Sequence, residues 1–160
     1  MAAPFSFDRS WWFPVPPAQL WATLVRTDEY PSWWTWLREL DTDGLAPGNT
    51  ARCVIQSPLP YTLRCTITVE ELRAPETIMT TVTGDLCGPA GLHVEDAKDG
   101  STARLCWTLD LGNPLLSRLA LVGRPAMSWA HDRIVATGVE QFRRRALGAA
   151  TRTTFGEGGA

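Results

Sequence analysis

The sequence lacks the short motifs that identify most enzymes. It contains no Gly-x-Ser-x-Gly elbow, no phosphate-binding loop and no His-Glu-x-x-His zinc motif. Histidine is scarce, with two residues in 160, and the four cysteines form no Cys-x-x-Cys pair. These absences argue against a serine hydrolase, a nucleotide-binding enzyme and a metal site, and no cofactor is expected.

The sequence also lacks an excess of charge of either sign, and it has no long hydrophobic run. Fifteen basic and 17 acidic residues give a net charge of -2, which provides no electrostatic footprint for nucleic acid. The apolar stretch Pro114–Trp129 is short and is interrupted by Arg118 and Arg124, so no membrane insertion is expected. The first residues do not resemble an export signal. A cytoplasmic protein with reduced thiols is therefore expected, as a monomer or homodimer.

Tryptophan, in contrast, is abundant. The chain has eight Trp residues beside two Tyr and five Phe. Each aromatic ring can bury about 150–250 Å² of surface. The excess is compatible with a Trp-rich core and with an aromatic-lined pocket, and some rings could serve both.

The first 37 residues predict one strand and two short helices. Residues 5–13 alternate with period two and place an aromatic face on one side, which is typical of a strand. Three prolines end this strand, and helical spacing predicts a helix over about Pro17–Arg26. Pro31 can begin a second short helix, which carries Trp33, Trp34 and Trp36.

Alternating segments between turn signals predict a six-stranded antiparallel meander after Leu37. The turn signals are Asp43-Gly44, Pro47-Gly48-Asn49, Pro58-Leu59-Pro60, Ala74-Pro75, Gly88-Pro89 and Lys98-Asp99-Gly100. After Gly112 the period becomes helical and stays so to about Leu147. We expect a single domain over residues 1–147 and a disordered tail over residues 148–160.

This order of elements resembles the helix-grip fold of the START and Bet v 1-like (SRPBCC) superfamily, whose bacterial branch includes polyketide cyclases, dehydratases and lipid-transport proteins. The resemblance is carried by Phe13–Trp21, Tyr30–Trp34 and His131–Arg133, with Gly138 and Gln141–Arg144. It implies an α+β fold in which a curved antiparallel sheet of about seven strands wraps around a long C-terminal helix.

A bent sheet and one helix leave space between them, and several inward positions here are small. The sequence therefore predicts an apolar cavity that binds a hydrophobic small molecule. The expected ligand-binding residues come from both elements and from the short helices: Trp11, Trp33, Trp34, Cys53, Leu63, Cys65, Ile67, Leu105, Trp107, Met127, His131 and Val135.

Three side chains are candidates for catalysis. His131 shares a helix face with apolar residues and could exchange a proton inside a pocket, or it could be a core-edge histidine bonded to protein. Arg9 shares a strand face with Phe7 and Trp11, so it could hold a substrate carboxylate or lie at the sheet edge. Tyr61 follows a proline-rich turn and could reach a ligand or pack the turn.

Three functions remain open from the sequence. The first is a binding or carrier protein for a lipid, polyketide or isoprenoid-like molecule, which needs only the cavity. The second, implied by the resemblance, is a polyketide cyclase or dehydratase that acts on a ligand in the same cavity. The third is a protein-interaction module, which would need an exposed apolar patch.

Overall fold

A seven-stranded antiparallel sheet is the largest element of the computed structural model, which describes residues 5–112 and 114–148. The strands are β1 (Phe5–Phe13), β2 (Leu37–Thr42), β3 (Thr50–Gln56), β4 (Thr62–Arg73), β5 (Thr77–Gly84), β6 (Leu86–Ala97) and β7 (Gly100–Leu111). They lie in the order β1-β7-β6-β5-β4-β3-β2, so the first strand pairs with β7 and extends the predicted meander at one edge.

The helices follow the predicted order. Helix α1 spans Pro17–Leu24, a 3₁₀ turn spans Thr27–Glu29, and α2 spans Tyr30–Trp33. Helix α3 spans Pro114–Gln141 and continues as a π-helical turn over Phe142–Leu147. The predicted α+β helix-grip architecture is confirmed. Most of the tail predicted to be disordered lies outside the described residues, and none of the described helices combines the length and apolarity needed to cross a membrane.

Two irregularities bend the sheet. The pairing register shifts between Leu37 and Glu39 in β2 and between Val69 and Glu71 in β4. A bulge of this kind inserts an extra residue on one strand and bends it locally. Both register shifts are on strands in the same half of the sheet, β2 and β4.

The predicted turn at Gly88-Pro89 is wrong, because both residues lie inside β6. Gly88 has a φ of 146°, and a Cβ atom there would lie 2.1 Å from the carbonyl oxygen of Thr108 on β7. The glycine therefore permits a close approach of two strands and does not mark a reversal. The reversal lies at Gly84, whose φ is 108°.

The helical period after Gly112 hides a kink. Gly123 has non-helical angles, with φ of -114° and ψ of 27°, and Pro125 follows two residues later. Proline cannot donate a backbone hydrogen bond and its ring displaces the preceding turn, so the two residues together break the helix direction. The described residues of α3 that face the sheet, beginning with Met127, follow this kink.

Candidate functional site

The sheet and α3 enclose a cavity of about 450 Å³. Its described walls come from every strand except β2, from α1, α2 and the segment after it, and from α3. The volume lies within the range of about 300–1,000 Å³ that is usual for small-molecule sites. The aromatic residues on its walls are Phe5, Trp11, Phe13, Tyr30, Trp34, Trp36, Tyr61, Trp107 and Phe142, with His131.

His131 borders the cavity within a cluster of aromatic rings. Its imidazole stacks on Phe5, with ring centroids 5.0 Å apart, and meets the rings of Phe7 and Trp107 edge-on at 5.5 Å. Trp107 donates its indole N–H to His131 Nε2 at 3.0 Å, and Nδ1 lies 3.2 Å from Asp132 Oδ1. Both ring nitrogens are thus bonded to protein groups.

These bonds define the roles of the two ring nitrogens. Trp107 Nε1 is only a donor, so Nε2 must supply a lone pair. The carboxylate of Asp132 is only an acceptor when ionised, so Nδ1 must carry the hydrogen. The lone pair that His131 could offer to a ligand is therefore already used by Trp107.

The segment around α2 covers the cavity with two of its three tryptophans. Trp34 donates its indole N–H to the carbonyl of Gly138 on α3 at 2.9 Å and stacks on Trp36 at 5.4 Å. Both of these rings line the cavity. The indole N–H of Trp36 is buried without a hydrogen-bond partner among the described residues, which is a costly arrangement for a polar group.

Trp33 does not line the cavity, contrary to our expectation. It is 3% exposed and packs against Tyr30, Trp34 and Phe142. Trp33 is the last residue of α2, whereas Trp34 follows the helix with an extended backbone (φ of -112°, ψ of 103°), so the two rings point to different sides. Trp33 therefore anchors α2 to the C-terminal end of the helical layer.

Arg9 does not line the cavity either. Its guanidinium carbon lies 5.5 Å from the centroid of the Phe7 ring, and the side chain is exposed. Strand β1 is an edge strand, so a long side chain on its inner face can extend past the sheet into solvent. This placement matches the edge alternative and gives Arg9 no contact with a ligand inside the cavity.

The other predicted residues lie on the cavity walls. These are Trp11, Trp34, Cys53, Leu63, Cys65, Ile67, Leu105, Trp107, Met127, His131, Val135 and Tyr61. Cys53 and Cys65 face each other across β3 and β4, and the Cys53 thiol donates to the Cys65 carbonyl at 3.5 Å. Burial raises the pKa of Cys53 to about 11 and also raises the pKa of Cys65, so both thiols are protonated near neutral pH.

Sequence reasoning missed several wall residues. Ser57 and Ile55 continue the β3 alternation into the following loop, and Ile78, Val82 and Ala90 lie on β5 and β6. The alternation of β5 places Ile78 and Val82 on one face, so that signal was present in the sequence. No such signal existed for Ala90, because a turn was predicted at Gly88-Pro89, which in fact lies within the first part of β6.

The comparisons with solved structures agree with this fold. The chain resembles the crystal structure of TTHA0849 from Thermus thermophilus, with a TM-score of 0.76, 13% identity, and coverage of 91% of this chain and 99% of that one. It also resembles Ms6760 from Mycobacterium smegmatis, with a TM-score of 0.66, 11% identity, and coverage of 91% and 92%. Identities this low show a shared fold alone.

A third neighbour connects the fold to Bet v 1-like proteins. The crystal structure of Ara h 8.0201 aligns with a TM-score of 0.54 and 14% identity, covering 82% of this chain and 98% of that one. This neighbour shares the helix-grip fold, and the family match given next places the chain in the Bet v 1-like (SRPBCC) superfamily.

The sequence itself assigns the family. The profile described as "Polyketide cyclase / dehydrase and lipid transport" matches residues 4–148. The chain belongs to this family, and its cavity is a hydrophobic ligand-binding cavity of the kind that the family and fold share. No curated protein sequence shows significant similarity to the chain.

Proposed function

We propose that the protein binds and carries a hydrophobic small molecule, such as a lipid, polyketide or isoprenoid-like compound. The observation that carries this proposal is the cavity of about 450 Å³ lined by aromatic and aliphatic side chains. A folded protein normally fills its interior to near-crystalline density. An apolar void this large is costly unless a ligand occupies it, because its walls lose packing contacts.

The state of His131 supports binding over catalysis. A general base needs a free lone pair within hydrogen-bond reach of its substrate. In His131 that lone pair accepts the indole N–H of Trp107 at 3.0 Å. Acid–base catalysis by His131 would require this bond to break first, whereas ligand binding requires no such change.

A polyketide cyclase or dehydratase is the second candidate. It is favoured by the family description and by Tyr61, whose hydroxyl could polarise a carbonyl in the cavity. Arg9 has no part in this version because it is exposed at the sheet edge. We also propose a cytoplasmic location, which is supported by the four cysteines that are free thiols.

Native mass spectrometry of the protein purified from its own host tests the proposal. We expect a bound species that adds the mass of one apolar molecule and that organic extraction removes. Titration with the uncharged fluorescent probe 1-aminoanthracene should saturate at one site per chain. A protein that is isolated without ligand and that also fails to bind this probe contradicts the proposal.

Turnover separates the two candidates. If the protein is a carrier, His131→Gln weakens binding by about tenfold or less, because one hydrogen bond contributes a net of about 0.5–1.5 kcal/mol. If His131 acts as an acid or base, the same change lowers turnover by about 10²–10⁴-fold with little effect on binding. Conversion of the extracted ligand by the purified protein would establish the enzymatic alternative.

A further inference from the structure

The cavity has no charged side chain on its described walls. Its described lining includes no Lys, Arg, Asp or Glu. Among the described lining residues, the polar side chains are Ser57, two tyrosines, His131, the tryptophans with their indole nitrogens, and two cysteines. A ligand that carried a charge into this space would lose its hydration without meeting an opposite charge.

Most of these polar groups already have protein partners. Tyr30 donates its hydroxyl to the Leu24 carbonyl, and Ser57 Oγ accepts the N–H of Leu59 at 3.1 Å. The ring nitrogens of His131 are bonded to Trp107 and Asp132. The Tyr30 proton and both ring nitrogens of His131 are therefore already used, whereas Ser57 only accepts in its bond and its O–H is still able to donate.

The Tyr61 hydroxyl makes no hydrogen bond to any described residue, a property it shares on these walls with the buried indole N–H of Trp36. Its backbone is held firmly at the end of the β3–β4 loop, where its N–H donates to Leu59 at 2.8 Å and its carbonyl accepts the N–H of Ser57 at 3.2 Å. The ring packs against the core cluster that includes Leu63 and Cys53. Tyr61 lines the cavity, and its hydroxyl, unlike an indole N–H, can both donate to and accept from a ligand oxygen.

We propose that the cavity selects an uncharged ligand with one oxygen, in a hydroxyl, ketone or ester group, and that the Tyr61 hydroxyl binds this oxygen. An anionic lipid or free carboxylate enters only in its protonated form. This inference rests on the proposed ligand-binding function and adds the chemical class of the ligand. It makes Tyr61 a specificity-determining residue of the cavity.

Three naphthalene derivatives test the charge selection, because they share one ring system of a size suited to an aromatic wall. Naphthalene has no oxygen, 2-naphthol is neutral at pH 7, and 2-naphthoate is an anion. Displacement of 1-aminoanthracene, followed by calorimetry, measures each affinity. We expect 2-naphthol to bind most tightly and 2-naphthoate to bind at least about 100-fold more weakly at pH 8.

The pH dependence of 2-naphthoate gives a second measurement. If only the neutral acid enters, the apparent affinity of 2-naphthoate depends on the fraction of the acid that is protonated. At pH values above the carboxylic acid pKa, near 4, this affinity should rise about tenfold each time the pH is lowered by one unit. The affinity of 2-naphthol should stay constant between pH 6 and 8. A carboxylate that binds as tightly as the alcohol, with no pH dependence, overturns the inference while leaving the ligand-binding function in place.

Tyr61→Phe tests the anchoring hydroxyl. The variant should bind 2-naphthol about 2- to 13-fold more weakly, which is the affinity equivalent of one neutral hydrogen bond. It should bind naphthalene as the natural protein does. Equal weakening of both compounds, or no weakening of either, contradicts the role of Tyr61.

Tyr30→Phe is the matched control, because Tyr30 also lines the cavity but has its hydroxyl bonded to Leu24. This variant should change the affinities of naphthalene and 2-naphthol by the same factor. If no naphthalene derivative and no probe binds to the natural protein, the proposed function itself fails, and this result is distinct from a failure of the oxygen selection.

Discussion

Trp107 donates its indole N–H to Nε2 of His131 at 3.0 Å, which joins the last strand of the sheet to the inner face of α3. The bond satisfies the polar atom of a large ring on a cavity wall. It also occupies a lone pair of the His131 ring, whose other nitrogen lies 3.2 Å from Asp132 Oδ1. The pair therefore makes the wall less polar than its residue types imply.

The first prediction concerns this pair. His131→Leu leaves the Trp107 N–H without an acceptor and should lower the free energy of unfolding by about 1–3 kcal/mol. Trp107→Phe in the same chain removes the stranded donor, so the double variant should lose less stability than the two single changes add up to. Urea unfolding of the four proteins measures the coupling. Simple additivity would show that the bond does not stabilise the fold.

The second prediction concerns the volume of the cavity. Cys65→Trp should abolish binding of 1-aminoanthracene because the indole would occupy the space beside the β4 wall. The free energy of unfolding should fall by less than the loss caused by overpacking a filled core, which is about 1–3 kcal/mol. Cys106→Trp, on a β7 position outside the lining, serves as the control and should still bind the probe. A large stability loss in Cys65→Trp would indicate a solid interior.

The third prediction distinguishes the three tryptophans around α2. Ligand binding should change the fluorescence of Trp34 and Trp36, which line the cavity, and leave Trp33 unaffected. Trp34→Phe and Trp36→Phe should each reduce the ligand-induced difference spectrum. Trp33→Phe should retain it, although the variant should be less stable because Trp33 is buried. An unchanged difference spectrum in the double variant, which carries both Trp34→Phe and Trp36→Phe, would show that the segment does not contact the ligand.

The architecture could be predicted because its signals are local. Period-two alternation in Leu63–Val69 and the turn residues between segments depend only on near neighbours along the chain. A meander also pairs consecutive strands, so the chain order supplies the topology. The exception was Gly88, where glycine serves a contact with Thr108 on another strand, and no local pattern distinguishes that use from a turn.

The site was less accessible to prediction because it depends on contacts between distant residues. Phase along β1 placed Arg9 on the inner face, but only the strand order shows that β1 is an edge where the side chain can leave the sheet. The bond between Trp107 and His131 joins residues 24 positions apart on different elements. Helical spacing could place His131 beside the cavity, but it could not show that its lone pair is already used.

The fourth prediction concerns Gly138, which lies against the Trp36 ring. A Cβ atom at this position would be 3.4 Å from Trp36 Cζ2, within contact distance. Gly138→Ala should raise the free energy of unfolding by up to about 1 kcal/mol through helix propensity, and it should weaken probe binding because the methyl group and the displaced indole reduce the cavity. Gly123→Ala has no described atom within 4 Å and should leave binding unchanged. Equal binding by both variants would place the ligand away from Trp36.

The last prediction concerns the wall thiols and follows from their burial. Desolvation raises the pKa of Cys53 from 9.0 to about 11, so the folded protein favours the protonated thiol. The unfolded chain releases this proton first, and the contribution of Cys53 to stability is therefore complete below pH 9 and lost as the pH rises toward 11.

At pH 8, iodoacetamide should modify the more accessible Cys87 well before Cys53 and Cys65, because the thiolate is the reactive form. Bound 2-naphthol should slow modification of Cys53 and Cys65 further and leave Cys87 unaffected, as peptide mass spectrometry would measure. Modification of Cys53 at the rate of Cys87, with no protection by the ligand, would contradict both its burial and its place on the cavity wall.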